Sequence, residues 1–596
     1  MRIIKPEELN AAQFAPNEAF LIELWYSMTH QKSLDSYRAK CMNSRMLLRE
    51  LAEELAIGII KPCDLKGVCA ETDDVLTADP VIKGHFPNLF NRILPFLRTP
   101  PQADEKYKKD DDKGKEFIFI ANDFSASLEK RYWESSCSVL LDALDKGDLE
   151  SLKIVMSNII ADLIDKGWPI ETLFSWHNHF LSPEVRKQYS FNQNLKFMLE
   201  VFSNESQQFE VTLRLTGSEN LKSLGEFHNF TFVDVPKNLG EKAPPKFKTA
   251  NKIVCFAQTT VNDSDFLSAA INAKESFEQF IDLLRFDYEP YSLKIDQLCH
   301  VKRISDGKIV LPVVKTVIPN PNSNSDHSTF MLFMEGLKAL SEKRSLEEST
   351  RRKIRGAIRQ YRFGRDSENY KDKFLNWWMG LEAVAHIGRG NSIGEVVSYN
   401  VSRVMVLPYL ARLLGDVLTT MKYGQVGWQP ELKAFCSGKE LQDLTSYDLL
   451  SIIQSDPQRT KLLQSFERIP TLHFRAAQLF PALIDPAETL SKIEAHLHHL
   501  EWQMARLYRI RCCVVHGSDV RFRIGLFAAN LEFYLKETVK YLIYSLCNNG
   551  HVKNLDEVYS RASISYYRTV ERLKQPDAGL QEIKDAIFNN NIVLMN

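Results

Sequence analysis

The chain is predicted to be mainly α-helical, with a small α+β domain in the middle and a helical bundle towards its C-terminal end. Three observations lead to the architecture. Apolar residues recur at helical spacing through most of residues 1–205, and again from about residue 329 onward. Between these regions, runs such as FEVTLRLTG alternate with the period of two that marks a half-buried strand. The segment IPNPNSNSDHS, rich in Pro, Asn and Ser, separates the middle from the C-terminal part. At 596 residues the chain exceeds what one core supports, so roughly two to four domains are expected. The expected segments are a mostly helical N-terminal region over 1–205 with a sensor or regulatory role in view, an α+β domain over 206–328, a helical bundle over 329–550, and a helical extension over 551–596.

In the first region, LRELAEEL, YWESSCSVLLDALDKGD and LESLKIVMSNIIADLIDKG have helical patterns. The charged run at 103–116 is expected to be a solvated loop, and EFIFIA after it an isolated strand. In the middle, Phe209, Val211, Leu213 and Leu215 fall on one strand face, and FHNFTFVDV and KIVCFAQTTV read as further strands. Asp263 and Ser264 are the expected caps of the helix SAAINAKESFEQFIDLLRF. VKRISDGKIVLPVV is a hairpin candidate turning at Asp306-Gly307. The C-terminal region opens with FMLFMEGLKALSEK, TRRKIRGAIRQYRF, YKDKFLNWWMGLEAVAH and IGEVVSYNVSRVMVLPYLARLLGDVLTTM, and two long helices follow at about 486–516 and 519–547.

Composition is that of an ordinary globular chain, 44% hydrophobic and 25% charged with net charge −1, so any nucleic-acid footprint must be local. The N-terminal stretch MRIIKPEELNAAQF lacks an apolar run and a small-residue cleavage site, so no signal peptide is expected. The most apolar run, VMVLPYLARLLGDVL, is interrupted by Pro408 and Arg412, so no membrane span is expected. Ten scattered cysteines without a CxxC pair point to reduced thiols in a cytoplasm, not to a disulfide framework or a zinc site. No P-loop is present, and GRGNSIG (Gly388, Gly390, Gly394) has the wrong spacing for a dinucleotide fingerprint. EAHLHH (His496, His498, His499) lacks identifiable partner ligands, so neither a metal nor a cofactor is expected.

The candidate site lies at the end of the first long helix. Asp485 caps it, Pro486 suits its first position, and Glu488 can complete a capping box. Leu490, Ile493, Leu497, Leu500, Met504 and Leu507 then form a heptad seam whose next step lands on Arg511. A lone buried guanidinium is costly, so Arg511 must reach water or meet an anion. His516 follows five positions later, and Gly517 is a natural helix stop. At a helix C-terminus the dipole favours imidazolium and suits His516 to general-acid work. A second Arg–His pair of the same spacing, Arg468 and His473, has Pro470 between its members, so no helix orients them together.

YRIRCCVVHG resembles the R-x(4–6)-H signature of the HEPN superfamily, and specifically of the Apea-like HEPN domains of bacterial anti-phage proteins. FLNWWMGLEAVAH is similar to the aromatic-rich helix ending in Leu-Glu that precedes it in those domains, and the likeness covers about 340–550. The resemblance implies a metal-independent endoribonuclease acting as a homodimer, with Arg511 and His516 as the catalytic pair. It implies RNA as the partner, tRNA included, and a defence role answering a phage-derived trigger. Cys512 departs from the family, where the residue after the arginine is commonly polar. The alternative is a silent HEPN-type binding or scaffold module in a defence or toxin–antitoxin complex. Glu382 is a supporting candidate that could orient Arg511 or an active histidine, and Cys512 occupies the position adjoining Arg511. Arg351, Arg355, Arg359 and Arg362, spaced along one side of TRRKIRGAIRQYRFGR, are the RNA-binding candidates.

Overall fold

The computed structural model describes residues 2–30, 42–57, 62–100, 112–203, 206–217, 225–227, 229–236, 239, 244–248, 254–287, 293–315, 327–367, 369–388, 392–515, 524–549 and 551–589. The chain is mainly helical with one small antiparallel sheet. Two compact units emerge. One comprises Met1–Asp162, His177–Gln188 and Ile318–Asn596, the other Leu163–Trp176 and Tyr189–Val317. The units therefore cut across the sequence segments: the first 162 residues share a unit with the C-terminal helices.

The smaller unit is built on β1 (Gln207–Thr216), which pairs antiparallel with β4 (Val254–Asp263) along its whole length. Strand order is β2-β3-β4-β1-β6-β7, with β2 at Glu226–Phe227, β3 at Phe230–Val233, β6 at His300–Arg303 and β7 at Ile309–Val310; β5 (Lys294–Ile295) also pairs with β1. The alternation of β1 is realised. Phe209, Val211, Leu213 and Leu215 are all buried, and Ala269, Ala270, Ala273 and Phe277 of the helix Phe266–Asp287 share their core. The small alanines let helix and sheet approach closely. That helix is capped by Asp265, whose carboxylate accepts from the Ser268 amide at 2.6 Å, so the cap lies just beyond the expected Asp263 and Ser264. The β6–β7 hairpin turns at Gly307, whose φ of +69° favours glycine.

In the larger unit, the N-terminal helices include α1 (Pro16–Thr29), α2 (Ser44–Ile57), α3 (Pro62–Ala78) and α4 (Asp112–Lys146). The expected strand EFIFIA lies inside α4. Phe117, Ile120, Ala121, Phe124 and Leu128 are buried while Phe119 is 64% exposed, a helical period that a five-residue apolar run cannot reveal alone. The part of the charged run at 112–116 is the first turn of this helix rather than a loop; 103–111 lie outside the described residues.

The C-terminal helices that frame the site are α5 (His327–Glu342), α6 (Glu348–Asp366), α7 (Tyr370–Ala385), α8 (Ile393–Val406), α9 (Tyr409–Tyr423), α10 (Pro470–Leu479), α11 (Pro486–Val515), α12 (Ile524–Asn548) and α13 (Leu555–Leu573). Helices α6 and α7 form an antiparallel hairpin on α12, and α11 packs on α8 and α7. One continuous core joins them through Trp377, Trp378, Leu381, Leu507, Leu531 and Leu535. Five of the six expected seam residues of α11, Ile493, Leu497, Leu500, Met504 and Leu507, are buried and Leu490 is partly buried, and Asp485 accepts from the Ala487 amide at 2.8 Å as its cap. No single described helix is long and apolar enough to cross a membrane; α8 and α9 come nearest as a pair, and they bend by 46° at their junction.

Candidate active site

The site is framed by α7, α8 and the last turns of α11. Helix α7 presents Trp378 inward because Phe374, Trp377, Trp378, Leu381 and Val384 follow a helical stripe into the core. Trp378 is fully buried, yet its indole N–H needs an acceptor, and Glu382 one turn later supplies it: Nε1 donates to Oε2 at 2.8 Å. Glu382 is thus held by a tryptophan. Among the described residues no side-chain bond joins it to His386, which is exposed.

Across from Trp378 stands Tyr508 of α11, with ring centroids 5.7 Å apart. The Tyr508 ring also lies against Gly394 of α8, where an added Cβ would fall 2.4 Å from it. This is the use of the third glycine of GRGNSIG: it makes room for an aromatic ring. Gly388 has φ of +100°, and Gly390 lies outside the described residues.

Tyr508, Arg511 and Cys512 stand at i, i+3 and i+4, so they share one face of α11. Burial first, then the neighbouring Cys512 thiol, pushes the Tyr508 hydroxyl above its ordinary pKa; Glu382 adds to the rise and Arg511 opposes it. Glu382 and Arg511 therefore act on the same hydroxyl in opposite senses. Arg511 is half-buried, and among the described residues it makes no hydrogen bond or ion pair. Val515, 48% exposed, is the last described residue of α11, so the expected end at 516 lies outside the described residues. His516 and Gly517 lie outside the described residues, as does Ser518.

Five residues before Arg511 lies a group that sequence reasoning missed. Arg506 is 2% exposed and donates to Glu50 of α2 at 2.9 and 3.0 Å and to Glu71 of α3 at 2.7 and 3.0 Å. Arg509 donates to the other oxygen of Glu50 at 2.7 Å. Burial alone would raise the Glu50 carboxyl, but Arg506 and Arg509 overcome it and hold its pKa at about 2. Burial likewise works against the Arg506 charge, and the two carboxylates outweigh it. The only hint in sequence was an arginine directly before the seam residue Leu507; its partners are more than 400 positions away.

The four arginines of α6 divide. Arg351 is turned inward: its Nη1 donates to the carbonyls of Leu340 and Ser341 at 3.1 and 2.9 Å, and its Nη2 to Lys343 at 2.5 Å, closing the end of α5. Arg355, Arg359 and Arg362 are exposed, and the face they share is extended by Arg352 rather than Arg351. The second Arg–His pair is separated by the start of α10, with Ile469 as its cap residue, so Arg468 stands outside the helix that holds His473. The histidines of EAHLHH disperse. His496 stacks on Tyr409 at 3.6 Å, His498 faces Glu501 at 3.6 Å, and His499 faces Asp74 at 3.5 Å. Among the described residues no group of three or more His, Cys, Asp or Glu side chains could hold a metal ion.

Comparison with protein-family models, curated proteins and solved structures finds no match to this chain.

Proposed function

We propose that the chain is a metal-independent endoribonuclease of HEPN type, acting in a bacterial cytoplasm as an anti-phage effector, with Arg511 and His516 as its catalytic pair. The observation that carries this reading is the state of Arg511. It is a half-buried guanidinium without a partner among the described residues, at the end of a helix whose neighbouring buried arginine is fully paired. A cation left open in this way suits an anionic ligand, and a guanidinium grips phosphate through two N–H groups.

The chemistry follows from the residue types. The RNA 2′-oxygen attacks the adjacent phosphorus, the bond to the 5′-oxygen breaks, and a cyclic phosphate and a free 5′-hydroxyl result. One histidine takes the proton of the 2′-hydroxyl, and a second gives a proton to the departing oxygen. Arginine stabilises the extra negative charge on phosphorus in between. Two copies of the chain facing each other supply both histidines, so a homodimer is part of the proposal. Glu382, fixed by Trp378, and Arg511 both act on the Tyr508 hydroxyl, which keeps its proton and can donate to a phosphate oxygen.

The test is cleavage of RNA and of matched DNA in the presence of EDTA, with Arg511→Ala and His516→Ala alongside. Cyclic-phosphate ends on RNA alone, lost in both variants, are expected; cleavage of DNA or full activity in His516→Ala would overturn the proposal. A second reading, a silent binding module, draws on Cys512, which sits beside the Tyr508 hydroxyl where a stronger polar group would assist catalysis. An inert wild-type chain that still binds RNA would favour it.

A further inference from the structure

Helix α6 carries seven basic residues and only two acidic ones, Glu348 and Asp366, which stand at its two ends. The chain as a whole is balanced at a net charge of −1, so this is a local concentration of charge. Its buried side fixes the helix in place. Ile354 and Ala357 are in the core, and Gly364 meets Trp377 so closely that an added Cβ would fall 2.4 Å from the indole. The opposite side shows Arg352, Arg355, Arg359 and Arg362, all exposed, and none has a hydrogen bond or ion pair among the described residues. Like charges three and four apart repel and weaken a helix. Nothing within the helix compensates them, whereas Arg351 next door is fully engaged with the end of α5.

One aromatic residue belongs to the same face. Phe363 is 43% exposed, and the Arg362 guanidinium lies 5.2 Å from its ring centroid. The stripe from Arg352 to Arg362 covers about 15 Å of helix, the reach of a few nucleotides. Aligned cations that track a backbone, with an exposed ring on which a base can stack, are the two parts of a single-strand grip.

We propose that the exposed face of α6, formed by Arg352, Arg355, Arg359, Arg362 and Phe363, binds single-stranded nucleic acid. The arginines hold successive phosphates and Phe363 stacks on an unpaired base. The grip is indifferent to sequence, because every base has a face and every nucleotide a phosphate. It stands apart from the cleavage reading, and a probe that cannot be cut separates the two.

The probe is a fluorescent 2′-O-methyl oligouridylate of about fifteen nucleotides, which lacks the attacking hydroxyl and is within the site sizes such grips cover. Binding to the full chain is followed by anisotropy across a salt series with EDTA present. Four phosphate contacts predict that log affinity falls against log salt with a slope of about −3. The combined variant Arg352→Glu, Arg355→Glu, Arg359→Glu, Arg362→Glu is expected to flatten that slope and abolish tight binding. Phe363→Ala is expected to weaken binding about fivefold to a hundredfold while leaving the slope unchanged. Arg351→Ala, which lowers stability, is expected to leave the slope unchanged as well, which separates a folding defect from loss of the grip. An unchanged slope in the charge-reversal variant would overturn the proposal. So would a duplex bound as tightly as the single strand, or polyglutamate competing as well as the oligonucleotide.

Discussion

Arg506 and Arg511 stand five residues apart on α11, and their circumstances are opposite. Arg506 is in the core and spends its donors on two carboxylates from helices far earlier in the chain. Arg511 is half-buried, in the last described turn of α11, and has no such partner among the described residues. The same side chain is a structural tie in one place and an open cation in the other. The difference lies in what faces the helix: α2 and α3 bring acids to Arg506, whereas Tyr508, Cys512 and Glu382 gather around the face that carries Arg511. Charge in a helix says little about function until its partners are counted.

The sharpest break of the contrast is Arg506→Met. It leaves Glu50 and Glu71 buried with one guanidinium fewer, and removing one member of a buried ion cluster costs about 3–5 kcal/mol. A drop of that size in urea denaturation is expected. An unchanged midpoint would mean that Arg506 is no more structural than Arg511. The network should also fail in acid. Glu50 has its pKa lowered from 4.5 to about 2, so its contribution is complete above pH 4.5 and is lost as pH falls towards 2.

Arg511→Ala should reverse the pattern. Stability should stay within about 0.5 kcal/mol, since no partner is orphaned. RNA cleavage should fall by about 10²–10³, the usual loss when a group that stabilises transition-state charge is removed. Arg511→Lys should not restore it, because one ammonium lacks the two-pronged grip. A large stability loss in Arg511→Ala with cleavage intact would make it a second Arg506.

Glu23 sharpens the contrast from the carboxylate side. Like Glu50 it is buried, but its partners are the amide and hydroxyl of Thr471 at the start of α10, at 2.9 and 2.6 Å. Burial dominates, the Thr471 bonds and the more distant Arg475 only soften it, and the pKa is raised from 4.5 to about 7. The sign is therefore opposite to that of Glu50: the contribution is full below pH 4.5 and is lost as pH rises through about 7. Glu23→Gln should gain up to about 3 kcal/mol over wild type on going from pH 5 to pH 8, read from denaturation midpoints at both values. No pH-dependent difference between the two proteins would show that Glu23 ionises without cost.

Periodicity made most of the fold legible. The α11 seam, the β1 alternation and the Asp306-Gly307 hairpin all depend on local spacing, which sequence displays directly. EFIFIA misleads because a short apolar run fits either period, and the decision comes from Phe124 and Leu128 further along. The site was half legible. Arg511 announces itself by breaking a seam, but the acids that hold Arg506 and the ring that fills the space at Gly394 come from other helices. Arg351 and Arg352 are adjacent in sequence and opposite in role, and only the end of α5 packed beside them tells them apart.

The smallest expected effect tests how Tyr508 is kept beside Arg511. Gly394→Ala would put a methyl 2.4 Å from a ring that Trp378 confines on its other side. Overpacking of this kind costs about 1–3 kcal/mol. If the ring yields, Tyr508 shifts along the face it shares with Arg511, and cleavage should fall without any change at Arg511 itself. The control is the same substitution in a Tyr508→Ala background, where the ring is gone and the added methyl has space. A stability cost that vanishes there assigns the effect to Tyr508; a cost that persists assigns it to α8, and Tyr508 then has no part in positioning the open arginine.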